Sequence, residues 1–181
     1  MGLDTSTPNL VLGLYSPEEG ILGVYENGLE PHATKQIIPQ LDKLLTHAQL
    51  TKTNLAGITV GVGPGSYTGI RVAIATAKGL AKGLKIPLQG KSTLEAIAYK
   101  ALAEQESAIV ALDARRGNVY YGMYSKKDNK ILTLLNEEKA NLDKLRKVHP
   151  SFRFVIDTSP SAAYLASFTN FTDTVITPIY L

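Results

Sequence analysis

Two hydrophobic periods alternate along the chain. Between residues 9 and 15, Leu10, Leu12 and Leu14 fall on one face of an extended segment and Val11 on the other, and residues 21–25 repeat the pattern after a turn at 16–20. With a strand tail at residues 1–3, this predicts a three-strand meander. Over residues 35–49 the step lengthens: Ile37, Leu41, Leu44 and Ala48 recur every three or four positions, and Ile38 and Leu45 widen the stripe, as an amphipathic helix requires. Pro39 has no N–H to donate, so this helix either begins there or bends. Residues 55–62 are almost continuously apolar, the pattern of a strand covered on both faces.

That strand runs into GVGPGSYTGIR at residues 61–71, which reads as a tight turn opening a helix. Gly61, Gly63 and Gly65 permit close approach and positive φ, Pro64 stiffens the turn, and Ser66 and Thr68 are candidate caps. The unpaired amides of such a turn, Gly65 and Ser66 foremost, suit an anion. No Lys-Ser or Lys-Thr pair follows, so it is not a Walker A loop. The helix continues to about residue 83 with small residues at Gly69, Ala73, Ala75, Ala77 and Gly79, and bulk at Ile70 and Leu80. Small residues let another backbone come near, whether that of the chain's own sheet or a partner's. A short strand at 86–90 precedes Ser92-Thr93-Leu94-Glu95, a capping-box sequence for a helix to about residue 104.

The second half repeats the first. Leu112-Asp113 answers Leu3-Asp4: a strand at 109–112 ends in an acid, and a turn at 114–118 leads to a strand at 119–124. A third strand at 131–135, a helix at 140–148, a buried strand at 152–156 and a short helix at 162–168 complete the copy. Internal repetition of a β-β-β-α-β-α unit, each copy with a strand-end acid, predicts an α/β fold of the actin, Hsp70 and sugar-kinase (ASKHA) type. Residues 1–104 form the first subdomain and 105–181 a reduced second one, in which no glycine follows Gly122 to build an adenosine turn. Asp4 and Thr5, with hydroxyls behind them, read either as a self-satisfied turn or as a seat for phosphate or magnesium.

Composition narrows the chemistry. The absence of cysteine excludes disulfides and thiolate catalysis. A net charge of +3 without a Lys/Arg run gives no nucleic-acid arm, and no apolar run suits a membrane helix, so a cytoplasmic protein is expected. His32 stands alone, without a second histidine at metal-ligand spacing.

Together, Asp4-Thr5-Ser6-Thr7, GPGSYTGIR, AIATAKGLA at 73–81, IPLQGKSTLEA at 86–96, LDARRGNVY at 112–120 and the closing Pro178-Ile179-Tyr180-Leu181 resemble the TsaB (YeaZ) family over nearly the whole chain. The resemblance implies a non-catalytic subunit in tRNA threonylcarbamoyladenosine synthesis, pairing with the catalytic TsaD and the ATPase TsaE. It implies pairing through the two first-half helices, hence Ile38, Leu41, Leu45, Ile70, Ala73, Ala77 and Leu80, and self-association through the same face when alone. The resemblance implies contact with tRNA through the complex; for direct contact the residues themselves offer Lys78, Lys82, Lys85, Arg115 and Arg116, read otherwise as solvated surface charge. No cofactor is expected on this chain alone, with ATP or ADP at the complex interface, and no resident metal. The residues facing such a nucleotide would be Asp4, Thr5, Gly63, Gly65, Ser66, Asp113, Arg115 and Arg116. Arg115 and Arg116 either meet phosphate or bridge the cleft to Asp4. Compared with that family, the first strand is clipped, His32-Ala33-Thr34 replaces the usual His-Ser-Glu, and the second half is shorter. The alternative is a free-standing ASKHA-type ATPase or kinase using Asp4 and Asp113 for magnesium. A peptidase finds no HExxH, cysteine or Ser/His/Asp set.

Overall fold

The computed structural model describes residues 1–27, 33–171 and 176–181, and His32 lies outside them. In its first sheet, β1 (Gly2–Asp4), β2 (Leu10–Ser16), β3 (Gly20–Asn27), β4 (Ile58–Gly61) and β5 (Leu88–Lys91) lie in the order β3-β2-β1-β4-β5. Strand β1 is central: Gly2, Leu3 and Asp4 pair antiparallel with β2, and Gly2 and Leu3 pair parallel with β4. The second sheet takes β6 (Ser107–Asp113), β7 (Asn118–Lys127), β8 (Lys130–Asn141) and β9 (Arg153–Ile156) in the order β8-β7-β6-β9. That is the order β3-β2-β1-β4 over again, so the repeat read from the sequence is a repeat of topology.

Helices α1 (Ile37–His47) and α2 (Tyr67–Leu84) cover one face of the first sheet. Leu3, Leu12 and Val60 from the sheet meet Leu41, Ile70 and Ala77 in a single apolar cluster. Pro39 sits in the first turn of α1, where N–H groups lack an intrahelical acceptor, so it costs no hydrogen bond there. A 3-10 turn at Ala33–Gln36 leads in.

The other helices exchange partners between the halves. Helix α3 (Thr93–Ala101) follows the first sheet in sequence but packs on the second, with Leu94, Ile97 and Ala98 against Val110, Leu112 and Tyr124. Helix α5 (Ala162–Ala166) follows the second sheet but lies on the uncovered face of the first. It approaches so closely that a Cβ at Gly13 would stand 2.4 Å from the Ala162 carbonyl oxygen. Helix α4 (Leu142–Val148) caps the far face of the second sheet through Leu145, Ile109 and Ala111. Several boundaries differ from the sequence reading: α1 spans Ile37–His47 rather than 35–49, β4 Ile58–Gly61 rather than 55–62, and α5 Ala162–Ala166 rather than 162–168. Helix α3 stops at Ala101 rather than near residue 104, and β8 runs on through Asn141, where the sequence predicts the start of α4 at residue 140. Among the described residues no helix is long and apolar enough to cross a membrane.

Candidate functional site: the Asp4 turn and the outer face of α2

The strand-end acid of the first half is locked by its own chain. Asp4 is fully buried; its Oδ1 accepts from the backbone N–H and hydroxyl of Ser6, both at 2.6 Å, and its Oδ2 accepts from the Thr93 hydroxyl at 2.7 Å. Burial pushes the Asp4 carboxyl above its ordinary value, and the Ser6 and Thr93 hydrogen bonds pull in the opposite direction without cancelling it. Thr93 also lies 2.8 Å from the Ser6 hydroxyl and receives the Gly63 N–H at 3.3 Å, while its own N–H donates to the Gly63 carbonyl at 2.8 Å. No buried side-chain polar atom of the described residues is left without a partner.

The Gly-rich turn closes over this knot. The Ser66 amide, predicted to face an anion, donates instead to the Ser6 carbonyl at 2.7 Å. Thr5 donates its hydroxyl to the Gly69 carbonyl at 2.7 Å, and both Thr5 and Gly63 are buried. A Cβ on Gly61 would sit 1.7 Å from Asp4 Oδ2, one on Gly65 2.3 Å from the Ser6 carbonyl oxygen, and one on Gly69 1.9 Å from that of Thr5. The glycines therefore admit the chain's own 4–6 segment, the group that fills the place predicted for phosphate. Ser66 does cap α2, its Oγ accepting from the Gly69 N–H at 3.3 Å, whereas Thr68 makes no such bond and is exposed. The predicted capping box at residues 92–95 is half formed. Ser92 accepts the Glu95 N–H at 3.3 Å, but the Glu95 carboxylate is held by the Tyr164 hydroxyl of α5.

The second copy's acid does not join the first. Asp113 is exposed, with its Oδ1 accepting the Arg115 N–H at 2.9 Å. Arg115 and Arg116 occupy the β6–β7 turn with φ of 65° and 55°, exposed, and form no ion pair among the described residues, so the predicted bridge to Asp4 is absent. The self-satisfied turn, one of the two sequence readings of residues 4–7, is the one that forms, with the Ser6 amide and hydroxyl on Asp4; Thr93 is the residue that sequence reasoning missed. Thr93, next to a recognised cap and 89 positions from Asp4, gave only its hydroxyl as a signal.

The predicted partner face needs the larger correction. Leu41, Leu45, Ile70, Ala73 and Ala77 are buried against the first sheet and cannot meet a second chain. Ile38 remains 37% exposed and Leu80 half-buried. The surface that α2 actually presents carries Thr68, Arg71, Ala75, Lys78, Gly79, Lys82 and Gly83. A Cβ on Gly79 or Gly83 would meet nothing within 4 Å. At the start of α2, Tyr67 and Tyr180 lie with ring centroids 5.2 Å apart, and the Arg71 guanidinium stands over the Tyr67 ring. The backbone N–H of Ile179 donates to the Val62 carbonyl at 2.8 Å, tying the closing residues to the Gly-rich turn. A separate cavity of about 580 Å³ opens between the halves beside Lys91, Tyr99, Tyr164 and Phe168. Within it Lys91 lies 3.9 Å from Glu95 and over the Phe168 ring, and Glu95 accepts from the Tyr164 hydroxyl.

The model of the family described as TsaD, tRNA N6-adenosine threonylcarbamoyltransferase, matches residues 18–170. The chain is 33% identical over 155 residues to the tRNA threonylcarbamoyladenosine biosynthesis protein TsaB of Buchnera aphidicola from Schizaphis graminum, covering 84% of this chain and 72% of that one. The chain belongs to the TsaB family. The Escherichia coli TsaB is 32% identical over 72% of this chain and 57% of its own length, and the Bacillus subtilis TsaB 31% identical over 78% and 62%. This TsaB-family chain thus spans less than two thirds of the last two relatives. Its fold is that of YeaZ from Pseudomonas aeruginosa, with a TM-score of 0.79 over 91% of this chain and 86% of the other at 24% identity. A second solved structure, an uncharacterized protein with similarity to peptidase YEAZ from Pseudomonas aeruginosa, matches at a TM-score of 0.84 over 99% and 97% of the two chains at 23% identity.

Proposed function

We propose that this chain is a non-catalytic subunit of tRNA threonylcarbamoyladenosine synthesis, which binds a TsaD subunit through the outer face of α2 and the adjoining exposed part of α1. The observation that carries the reading is the internal closure of the Asp4 turn. In a catalytic or nucleotide-gripping copy of this fold, that acid and turn would be open to magnesium and phosphate, whereas here Ser6, Thr93 and Gly63 use their polar atoms on one another and on Asp4. Family membership supports the same process, since the named relatives are TsaB biosynthesis proteins. ATP or ADP, where it takes part, belongs at the joint with TsaD, and TsaE and tRNA reach this chain through that complex.

Co-purification with TsaD from the same source tests the reading. Ile38→Asp combined with Ala75→Asp places two carboxylates on exposed positions and spares the core, so the chain folds and its co-elution with TsaD is lost. Calorimetry of the isolated chain with ATP and magnesium gives no binding heat. Full co-elution of the double variant, or ATP turnover by the chain alone, would overturn the proposal.

A further inference from the structure

Two turns of the second sheet place consecutive residues in the left-handed region of backbone space. At the β7–β8 turn these are Asp128 and Asn129, with φ of 53° and 56°, residue types whose short polar side chains tolerate that conformation. At the β6–β7 turn they are Arg115 and Arg116, with φ of 65° and 55°, followed by Gly117 at 74°. A long cationic side chain gains nothing there, since its Cβ crowds the backbone and Asn, Asp or Gly would hold the same turn more easily. The fold makes no use of the two side chains in return. The turn is closed by backbone alone, the Ala114 N–H donating to the Asn118 carbonyl at 2.9 Å and the Asn118 N–H to the Arg115 carbonyl at 3.1 Å. The Gly117 carbonyl accepts from the Leu142 N–H at 2.9 Å and from Asn141 Nδ2 at 3.1 Å, which fixes the turn against the start of α4. Both arginines are exposed, and neither guanidinium forms an ion pair among the described residues. Lys139 and Lys144, on either side of Asn141 in sequence, are likewise exposed and form no ion pair among them. Of the carboxylates at this end, Asp113 accepts the Arg115 N–H at 2.9 Å, Asp157 accepts the Asp113 N–H at 2.8 Å, and Asp143 is exposed.

We infer that the β6–β7 turn is a phosphodiester-binding element, at which Arg115 and Arg116, with Lys139 and Lys144 behind them, take hold of the backbone of RNA. This rests on the process proposed above, tRNA modification, and adds to it a contact with RNA made by this chain itself. Backbone strain that no contact among the described residues offsets points to a use outside the chain. Two adjacent guanidinium groups select phosphate, because each planar fork matches two oxygens of one phosphate, a fit that a lysine ammonium lacks. A turn stapled to α4 holds both arginines at fixed positions, so little backbone order is lost when RNA binds. The lysines of α2 lie instead on the face proposed above to meet TsaD, which the complex covers.

The test compares stability and RNA affinity in one variant, Arg115→Asn with Arg116→Asn, which suits the turn and removes both cations. Its melting temperature as the isolated chain is expected to rise by about 2–4 °C. Its affinity for unmodified tRNA of the same source, read by fluorescence anisotropy with the full chain joined to TsaD, is expected to weaken by about tenfold near 50 mM NaCl. The slope of log affinity against log salt should fall by about two, one for each phosphate contact removed. Arg115→Lys with Arg116→Lys keeps the slope and gives an intermediate affinity, while Lys127→Asn with Lys130→Asn, at the β7–β8 turn, changes neither. Native affinity and slope in the double Asn variant would overturn the inference, as would a variant less stable than the native chain, whose arginines would then serve the fold. Absence of RNA binding by the native chain, both alone and with TsaD, would overturn it too. Loss of co-elution with TsaD in the double Asn variant, with no RNA present, would overturn it in favour of an acidic protein surface. The partner reading fails separately, by loss of native co-elution with TsaD, and the RNA measurement is then read on the isolated chain.

Discussion

Thr93 donates its hydroxyl to Asp4 at 2.7 Å, joining the first turn of α3 to the end of β1 across 89 positions of sequence. The same hydroxyl contacts Ser6 and receives the Gly63 amide, so one oxygen ties together three segments. Thr93→Val keeps the shape and removes that oxygen, leaving a buried carboxylate and a buried amide each short of a partner. The expected loss is about 1–3 kcal/mol of folding stability, read from urea unfolding. Unchanged stability would mean that the knot at Asp4 is dispensable.

The same burial makes stability depend on pH in a direction opposite to that of an ordinary salt-bridged acid. Asp4 is held above the usual value of 3.8, chiefly because burial disfavours its charged form. The folded state therefore keeps the proton to a higher pH than the unfolded chain does. This contribution is fully present below pH 3.8 and is lost as pH rises through the elevated folded value. Asp4→Asn abolishes it. Unfolding curves of the two proteins, taken at a series of pH values, should show the native chain losing stability relative to Asp4→Asn as pH rises; parallel pH profiles would contradict the assignment.

Two glycines of α2 should respond oppositely to the same substitution. Gly69→Ala drives a methyl toward the Thr5 carbonyl, 1.9 Å away, and forces the 4–6 segment from its place. A melting temperature well below that of the native chain is expected. Gly79→Ala meets nothing within 4 Å and should stabilise the isolated chain by about 0.5–1 kcal/mol through helix propensity. In the presence of TsaD the same methyl stands on the exposed outer face of α2, where the proposed contact lies, and should weaken the complex, so stability and binding move in opposite directions.

Ala73→Glu and Ala77→Glu would place carboxylates in the apolar core rather than at a partner's surface, because both alanines are fully buried. Each is expected to unfold the chain or prevent its accumulation, visible as loss of the far-ultraviolet helical signal. Ala75→Glu, one position along the exposed row, should leave that signal intact. Retention of fold in all three would invert the assignment of the faces of α2.

Much of the architecture was legible because local pattern and tertiary role agree. The alternation of Leu10, Leu12 and Leu14 gave β2, the glycines at 61–65 gave the turn into α2, and the acid-ended strands at Asp4 and Asp113 gave the repeat. What failed to appear was the identity of the neighbour. The stripe of Leu41, Leu45, Ala73 and Ala77 has the period of a buried helix face, but period alone does not tell a sheet of the same chain from a foreign surface. At the site, of the two readings that the sequence left open, the self-satisfied turn forms and the anion seat does not. A Gly-rich turn offers room for close approach, and here the backbone of residues 4–6 takes the room that an anion would use.

The exchange of α3 and α5 makes each repeat unit an incomplete object. A chain cut at residue 104 would carry α3 without the sheet it covers, and its first sheet would present Gly2 and Gly13 to water where α5 belongs. The complementary piece would hold a surplus helix and a bare sheet in turn. A duplicated unit built in this way gives up the independence that duplication ordinarily confers: its two fragments are mates, suited to reassembly by complementation, and neither could be passed on or lost as a module by itself.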